Sequence, residues 1–340
     1  MSRHLKIAAV QLGPIHLADT REAVVKRLIA LMREALISLS KGDVVLPLRT
    51  KVRLPDGSGV LGLMPGYLGE PESFGLKVVT VMPGNHGTSY DSHQGVVMLF
   101  GVKHGEPLAI LDATSITAIR TAAASAAATH GLANADAGDL ALIGSGAQAR
   151  THLAAMQCVR QLRRVRVWSR TRSNAERFAL EEGERFDCEI EVSASVREAV
   201  RDADIICTTT AAREPVLFGE WLAPGAHVNA VGACFSTSRE LDSEAVQLAR
   251  FFTDCRESCQ NEAGDFLIPR GEGAIGDDHL RGEVGEVFLG KVPGRVSRND
   301  ITVFESLGIA IEDLAAAHFI HRRAMESGVG TWLEWGDPVS

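Results

Sequence analysis

Apolar side chains at Val24, Val25, Leu28, Ile29, Leu31, Met32, Ala35, Leu36 and Leu39 recur every three or four residues. That period predicts an amphipathic helix over residues 20–40. Asp19 or Thr20 is suited to cap it and Gly42 to stop it. Residues 6–12 form a short apolar run, read as a buried strand. Between residues 44 and 110 the pattern changes. Runs at 44–54, 60–64, 75–81, 95–100 and 107–111 are β-rich and separated by Gly, Pro, Asp and Asn. Hairpins in a mostly antiparallel sheet are expected there. From Ser115 onward strands and helices alternate: a helix over 115–130, strands at 139–143, 164–168, 189–192, 205–209 and 228–231, and helices at 173–182 and 196–201 between them. Short-range alternation of this kind predicts a doubly wound parallel sheet. One further helix is expected over 304–323.

A length of 340 residues favours two domains. With 45% hydrophobic and 23% charged residues the chain can bury sizeable cores, which argues against disorder. The balance of 35 basic and 43 acidic residues gives a net charge of −8. An acidic chain with no basic block and 5% aromatics is not built to hold nucleic acid. No apolar run reaches the ~18–20 residues of a membrane span, and the first residues lack a signal-peptide pattern. The six cysteines are scattered without a CxxC pair, so they read as reduced thiols of a cytoplasmic protein, and no metal site is expected.

The sharpest local signal is Gly144-Ser145-Gly146-Ala147-Gln148-Ala149, which follows a predicted strand and opens a predicted helix. In that setting the first glycine permits a tight turn and the second lets backbone approach a pyrophosphate. The small Ala149 lets helix pack on strand. The helix start offers unpaired N–H groups and a positive dipole end. The next strand ends in Ser169-Arg170-Thr171-Arg172 with no carboxylate. A carboxylate there would hold a ribose 2′-hydroxyl, whereas arginines and hydroxyls suit a 2′-phosphate, so NADP(H) is expected over NAD(H).

Taken with these residues, Pro47-Leu48-Arg49-Thr50, Gly75-Leu76-Lys77, Thr117-x-x-Arg120-Thr121-Ala122-Ala123, Phe218-Gly219-Glu220-Trp221, Asn229-Ala230-Val231-Gly232-Ala233 and residues 302–312 resemble the ornithine cyclodeaminase/mu-crystallin family, nearest its ketimine reductase branch. The resemblance spans residues 33–325. It implies a Rossmann nucleotide domain (117–304) inserted into a discontinuous α+β domain (1–116 plus 305–340) that binds substrate and mediates a homodimer. It also implies that Arg49, Lys77 and Arg120 hold a substrate carboxylate. Independently, fork donors and an ammonium are the groups that would orient an acid beside a reacting carbon. Met64 and Cys234 are placed by the resemblance near the substrate. Thr208, Thr210, Val231, Gly232, Ser306, Gly308 and His93 are placed near the cofactor. Lys77 sits in the apolar setting of residues 76–79, which points to a functional or paired role, and closeness to the reacting nitrogen would lower its pKa and suit it to proton transfer.

Two departures bear on the activity. Ornithine cyclodeaminases carry carboxylates at the positions of Gly62 and Cys234, where they handle a distal amine. Neither residue here can do so. Reduction of a C=N bond beside a carboxylate, giving an L-amino acid, survives that loss because hydride transfer needs positioning and a cofactor. Reductive amination of 2-oxo acids is a variant of the same chemistry. A non-catalytic NADP-dependent small-ligand binder of mu-crystallin type is the alternative, and an NAD-linked cyclodeaminase the third reading. Residues 6–33 resemble instead the opening strand and helix of nitrilase-superfamily amidases. Since that superfamily's Glu, Lys and Cys do not follow in order, amidase activity is not expected.

Overall fold

The computed structural model describes residues 4–7, 20–85 and 88–334, without the side chains of 4–7 and 332–334. The chain divides into two compact units, one made of residues 1–120 and 309–340 and the other of residues 121–308.

The first unit begins with β1 (His4–Ile7) and α1 (Arg21–Lys41). Thr20 caps α1 by accepting from the Ala23 N–H, and Gly42 ends it at φ +84°. The antiparallel sheet follows: β2 (Val44–Val45), β3 (Thr50–Arg53), β4 (Val60–Leu68), β5 (Ser73–Val81), β6 (His93–Phe100) and β7 (Pro107–Asp112). Its order is β2-β4-β5-β6-β7, with β3 also on β4. The run expected as one strand over 44–54 is therefore two short ones. Pro47 lies between them, and proline cannot donate to a ladder. Of the strand expected over 6–12, residues 6–7 belong to β1 and residues 8–12 lie outside the described residues.

Helix α2 (Ala113–Leu132) starts two residues earlier than expected, because Asp112 caps it. The Asp112 carboxylate accepts from the Thr114 N–H at 3.3 Å and the Ser115 N–H at 2.8 Å. In the second unit β8 (Asp139–Ile143), α3 (Ala147–Val159), β9 (Arg164–Trp168), α4 (Arg172–Phe186), β10 (Ile190–Val192), α5 (Val196–Val200), β11 (Ile205–Thr208) and β12 (His227–Ala230) follow the expected alternation. Then come α6 (Ser243–Leu248), β13 (Ala249–Thr253), α7 (Arg256–Glu262), α8 (Gly264–Gly271), β14 (Leu280–Glu283), α9 (Val284–Phe288) and β15 (Ile301–Glu305). The fold is α/β: this unit is Rossmann-like, with eight strands in the order β10-β9-β8-β11-β12-β15-β13-β14, all pairs parallel. The strand order reverses at β8 and β11, which opens a crevice at their carboxyl ends.

The helix expected from Phe304 is corrected by the structure. Residues 301–305 are the central strand β15, and the chain turns through Gly308 at φ +70° before α10 (Ala310–Ser327) begins. β16 (Thr331–Glu334) pairs antiparallel with β1. Helix α10 packs on α1, β4, β5 and β6 within the first unit. Gly75 makes that contact possible: a Cβ there would lie 2.7 Å from Leu314 Cδ2 and 2.2 Å from the Met98 carbonyl oxygen.

Candidate active site

In the second unit, the turn after β8 carries the nucleotide fingerprint. Gly144 adopts φ +118°, and a Cβ on it would lie 2.7 Å from Thr209 Oγ1, just past β11. The turn is thus pressed onto the next strand at the switch point. Gly146 is different, because a Cβ there would meet nothing within 4 Å. It is the N-cap of α3 and supplies no side-chain cap, so the first N–H groups of a 13-residue helix open onto that space. Two buried polar atoms near this edge, Gln148 Oε1 and Ser306 Oγ, have no hydrogen-bond partner among the described residues. These features fit a dinucleotide. Ser145 is half-buried beside the turn and Ala147 is the exposed first residue of α3.

Ser169 is half-buried, while Arg170, Thr171 and Arg172 are exposed. Thr171 is the N-cap of α4 without a side-chain cap bond, and Arg172 Nε donates to Glu176 at 2.8 Å. Arg172 is therefore partly engaged by its own helix. Thr208 ends β11 and Thr210 follows it. Val231 and Gly232 follow β12, and Ser306 and Gly308 follow β15. All of them lie at carboxyl ends of strands.

In the first unit, burial alternates along β5, so Lys77 faces the same side as Gly75, toward α10. Its register partners are Met64 on β4 and Val97 on β6, both buried. A lysine in that wall needs a counter-charge, and α10 supplies it. Lys77 Nζ lies 2.5 Å from Asp313 Oδ2, with both side chains buried. Arg120, in mid-α2, donates from Nε to Asp313 Oδ1 at 2.8 Å and from Nη1 to Glu312 Oε2 at 2.6 Å. Glu312 and Asp313 occupy the first turn of α10, where negative side chains are favoured by the helix dipole. The four side chains form a buried network in which two cations meet two anions.

Burial lowers the Lys77 pKa to about 8. Asp313 opposes that shift, and the charges of Arg120 and Arg49 add to it. Burial also pulls on Arg120, but its two carboxylates outweigh this and hold its pKa above the ordinary value. Arg49 is half-buried immediately before β3. Its effect on Lys77 puts the three predicted cations in one electrostatic group. His93, at the start of β6, has its pKa lowered first by partial desolvation and then by the charge of Lys77. It belongs to the first unit with Lys77, whereas the nucleotide fingerprint belongs to the second. Cys234, half-buried in the second unit, donates from Sγ to the Val231 carbonyl at 3.5 Å. Among the described residues, no group of three or more His, Cys, Asp or Glu is placed to hold a metal ion. No helix is long and apolar enough to cross a membrane.

Sequence reasoning missed Asp313 and gave Glu312 no role. Arg120 and its acids are 192 and 193 residues apart. The available signal was local: two adjacent acids inside an otherwise apolar helical stretch.

The ornithine cyclodeaminase/mu-crystallin family model matches residues 17–328. The chain belongs to the ornithine cyclodeaminase/mu-crystallin family. Within it, the chain is 41% identical over 297 residues to the ketimine reductase mu-crystallin of Mus musculus, covering 86% of this chain and 91% of that one. It is 37% identical over 302 residues to a Delta(1)-pyrroline-2-carboxylate reductase of Bacillus cereus, covering 88% and 93%. The Delta(1)-pyrroline-2-carboxylate reductase of Thermococcus litoralis, solved with NADH and L-proline, superposes with a TM-score of 0.88 at 39% identity over 90% of this chain and 95% of that one. Family membership also removes the need for a nitrilase origin of residues 6–33: the match already begins at residue 17 and takes in α1. The rest of that resemblance, over residues 8–16, lies outside the described residues.

Proposed function

We propose that this protein is an NADPH-dependent reductase of C=N bonds that stand next to a carboxylate, with cyclic ketimines such as Delta(1)-pyrroline-2-carboxylate as substrates. The chain is an oxidoreductase acting on C=N bonds with a nicotinamide cofactor, as its reductase relatives are. The observation that carries the substrate reading is the buried Lys77–Asp313–Arg120–Glu312 network with Arg49 beside it. Arg49 and Arg120 provide fork donors for the acid group, and these fix the substrate about its carboxylate. Lys77, with a pKa of about 8, is protonated at neutral pH yet gives up its proton readily. It is suited to protonate the nitrogen of the imine. Asp313 keeps Nζ in place and sustains its charge. The cofactor supplies the hydride that ends on the imine carbon. Gly144, Gly146 and the start of α3 would hold its pyrophosphate, and Arg170 with Ser169 and Thr171 would meet a 2′-phosphate.

The absence of a side chain at Gly62 and the thiol at Cys234 support a substrate without a distal ammonium. We also read the protein as a homodimer. Val45, Leu48, Val52, Leu54 and Phe74 are exposed apolar residues of the first unit, more than an isolated sheet needs. Light scattering during gel filtration tests this.

The activity test follows NADPH and NADH absorbance with five- and six-membered cyclic 2-imino acids and with 2-oxo acid/amine pairs. Turnover of a cyclic imine with preference for NADPH is expected. Cofactor binding without turnover of any substrate would instead identify a ligand-binding protein, and ammonia release from ornithine a cyclodeaminase.

A further inference from the structure

Beyond the fingerprint, the carboxyl edge of the parallel sheet is held together by an acid that no part of the reductase reading uses. Glu240 lies in the segment between β12 and α6 and is fully buried. Its Oε1 accepts from the Thr210 N–H at 2.6 Å and from Thr210 Oγ1 at 2.6 Å. Its Oε2 accepts from the Gly232 N–H at 2.7 Å. One carboxylate therefore ties the segment after β11 to the segment after β12. The main chain of Glu240 is fixed in turn. Asp265 Oδ1 accepts from the Glu240 and Leu241 N–H groups at 2.9 and 2.8 Å, and the Glu240 carbonyl accepts from Val216 and Leu217. The fit leaves no slack: a Cβ on Gly232 would lie 2.1 Å from the Thr210 carbonyl oxygen and 2.7 Å from Glu240 Oε2.

The place of this strap in the sheet indicates what it serves. A dinucleotide lies across the carboxyl edge with its pyrophosphate at the glycine turn after β8. The segment after β9, on one side of β8, is where the adenosine ribose is read. The other half of the cofactor then extends over β11 and β12, on the opposite side. Thr210 and Gly232 are the second residues beyond those two strands. Each spends its N–H on Glu240, so the backbone there is set before any ligand arrives.

We propose that Glu240 is a positioning residue for the nicotinamide half of the cofactor, acting by clamping Thr210 to Gly232. This rests on the reading of the second unit as a nicotinamide-dinucleotide domain. Three donated hydrogen bonds to one buried carboxylate are a preorganised arrangement, in which the geometry is paid for during folding and not during binding. Loss of the acid frees two loops to move and leaves two donors to find other partners.

The experiment uses the full-length protein and compares Glu240→Ala, Glu240→Gln and Thr210→Val with the parent. Binding of NADPH and NADH is titrated alongside binding of ADP-ribose and its 2′-phosphate, which carry the adenosine half alone. For Glu240→Ala a rise in the NAD(P)H Kd of about tenfold or more is expected, with the ADP-ribose Kd values within about threefold of the parent. Glu240→Gln should fall between, because its amide oxygen can still accept from one of the two segments. Thr210→Val removes only the hydroxyl and should give a smaller loss in the same direction, which serves if the Glu240 variants do not fold. Equal loss for whole cofactor and adenosine half, or no loss for either, would overturn the assignment. If the parent binds ADP-ribose but no nicotinamide cofactor, the positioning role falls while the domain's nucleotide binding stands. If it binds none of these, the domain reading falls and takes the assignment with it.

Discussion

Replacing Asp313 by Asn removes one negative charge from between two buried cations without changing volume. Lys77 Nζ, 2.5 Å away, loses the largest influence that sustains its proton, while burial and the charges of Arg120 and Arg49 remain. An opposite charge at such range is worth about one to three pH units in a side-chain pKa. The Lys77 value, about 8 in the parent, should therefore fall by that amount. If protonated Lys77 is the acid of the reduction, kcat/KM is level below pH 8 and falls tenfold per pH unit above it. In Asp313→Asn the same fall should begin one to three pH units lower, cutting the rate at pH 7 by roughly 2- to 100-fold. The variant also leaves Lys77 and Arg120 short of a partner, which in buried pairs costs about 3–5 kcal/mol. At about 2–4 °C per kcal/mol, the melting temperature should drop by roughly 6–20 °C. The assay is a pH series of kcat/KM on protein shown by circular dichroism to be folded at each pH. A folded variant whose descending limb stays at the parental pH would refute the role of Asp313, and with it the assignment of that limb to Lys77.

Other outcomes follow from the same contacts. Gly144→Ala forces a Cβ to within 2.7 Å of Thr209 Oγ1 at φ +118°. The strain is about 1–3 kcal/mol, and the Kd for nicotinamide cofactor should rise by about tenfold or more; calorimetric titration with parental affinity would contradict the pyrophosphate assignment. Arg170→Ala should weaken NADPH by roughly 10- to 150-fold, the worth of a charge-assisted hydrogen bond, and leave NADH unchanged; equal losses would remove the case for a 2′-phosphate site. Glu305 is buried on β15, and its carboxyl is raised well above the ordinary value by burial and then by the charge of Asp265. A raised carboxyl contributes stability that is complete below its unfolded pKa and is lost as pH rises toward the folded one. Glu305→Gln should therefore gain stability relative to the parent on going from pH 5 to a higher pH, by up to about 1.4 kcal/mol per pH unit until the folded carboxyl ionises. Urea midpoints at the two pH values that keep a constant difference would refute it.

The elements legible in the sequence were those whose cause is local. The amphipathic period of α1 with its Thr20 cap, the Gly144 turn and the alternation through β12 all lie within short windows. In the parallel sheet the strands that escaped are β13, β14 and β15. β14 reads Leu-Arg-Gly-Glu, with neither the length nor the composition of a buried strand. β15 ends at Glu305 and Leu307 follows closely, so its apolar residues merge in the sequence with those of α10 unless the positive φ of Gly308 is anticipated. Lys77 and Arg120 were legible as unusual cations in apolar settings. Their acids were not, because the pairing is made by α10 folding back on β4 and β5. That contact depends on the missing side chain at Gly75, whose meaning appears only once Leu314 is seen against it.

The paired state of Lys77 and Arg120 changes what a substrate acid would gain from each cation, and the difference can be measured. Both are buried and already neutralised by Glu312 and Asp313, so their water was lost during folding. An incoming carboxylate finds them stripped and fixed, but half spent electrostatically. Such groups favour orientation more than affinity. Arg49 is half-buried, and its guanidinium fork can close bidentately on an incoming acid. We assign most of the binding to it. Arg49→Met is expected to raise KM by roughly 10- to 150-fold with kcat changed only a few-fold. Lys77→Met, which removes the proton donor, should lower kcat by about 10²- to 10⁴-fold with a smaller change in KM. Steady-state kinetics on a cyclic imine separates the two effects. If Arg49→Met acted on kcat and Lys77→Met on KM, the cations would have exchanged roles, and the proton would have to come from a group other than Lys77.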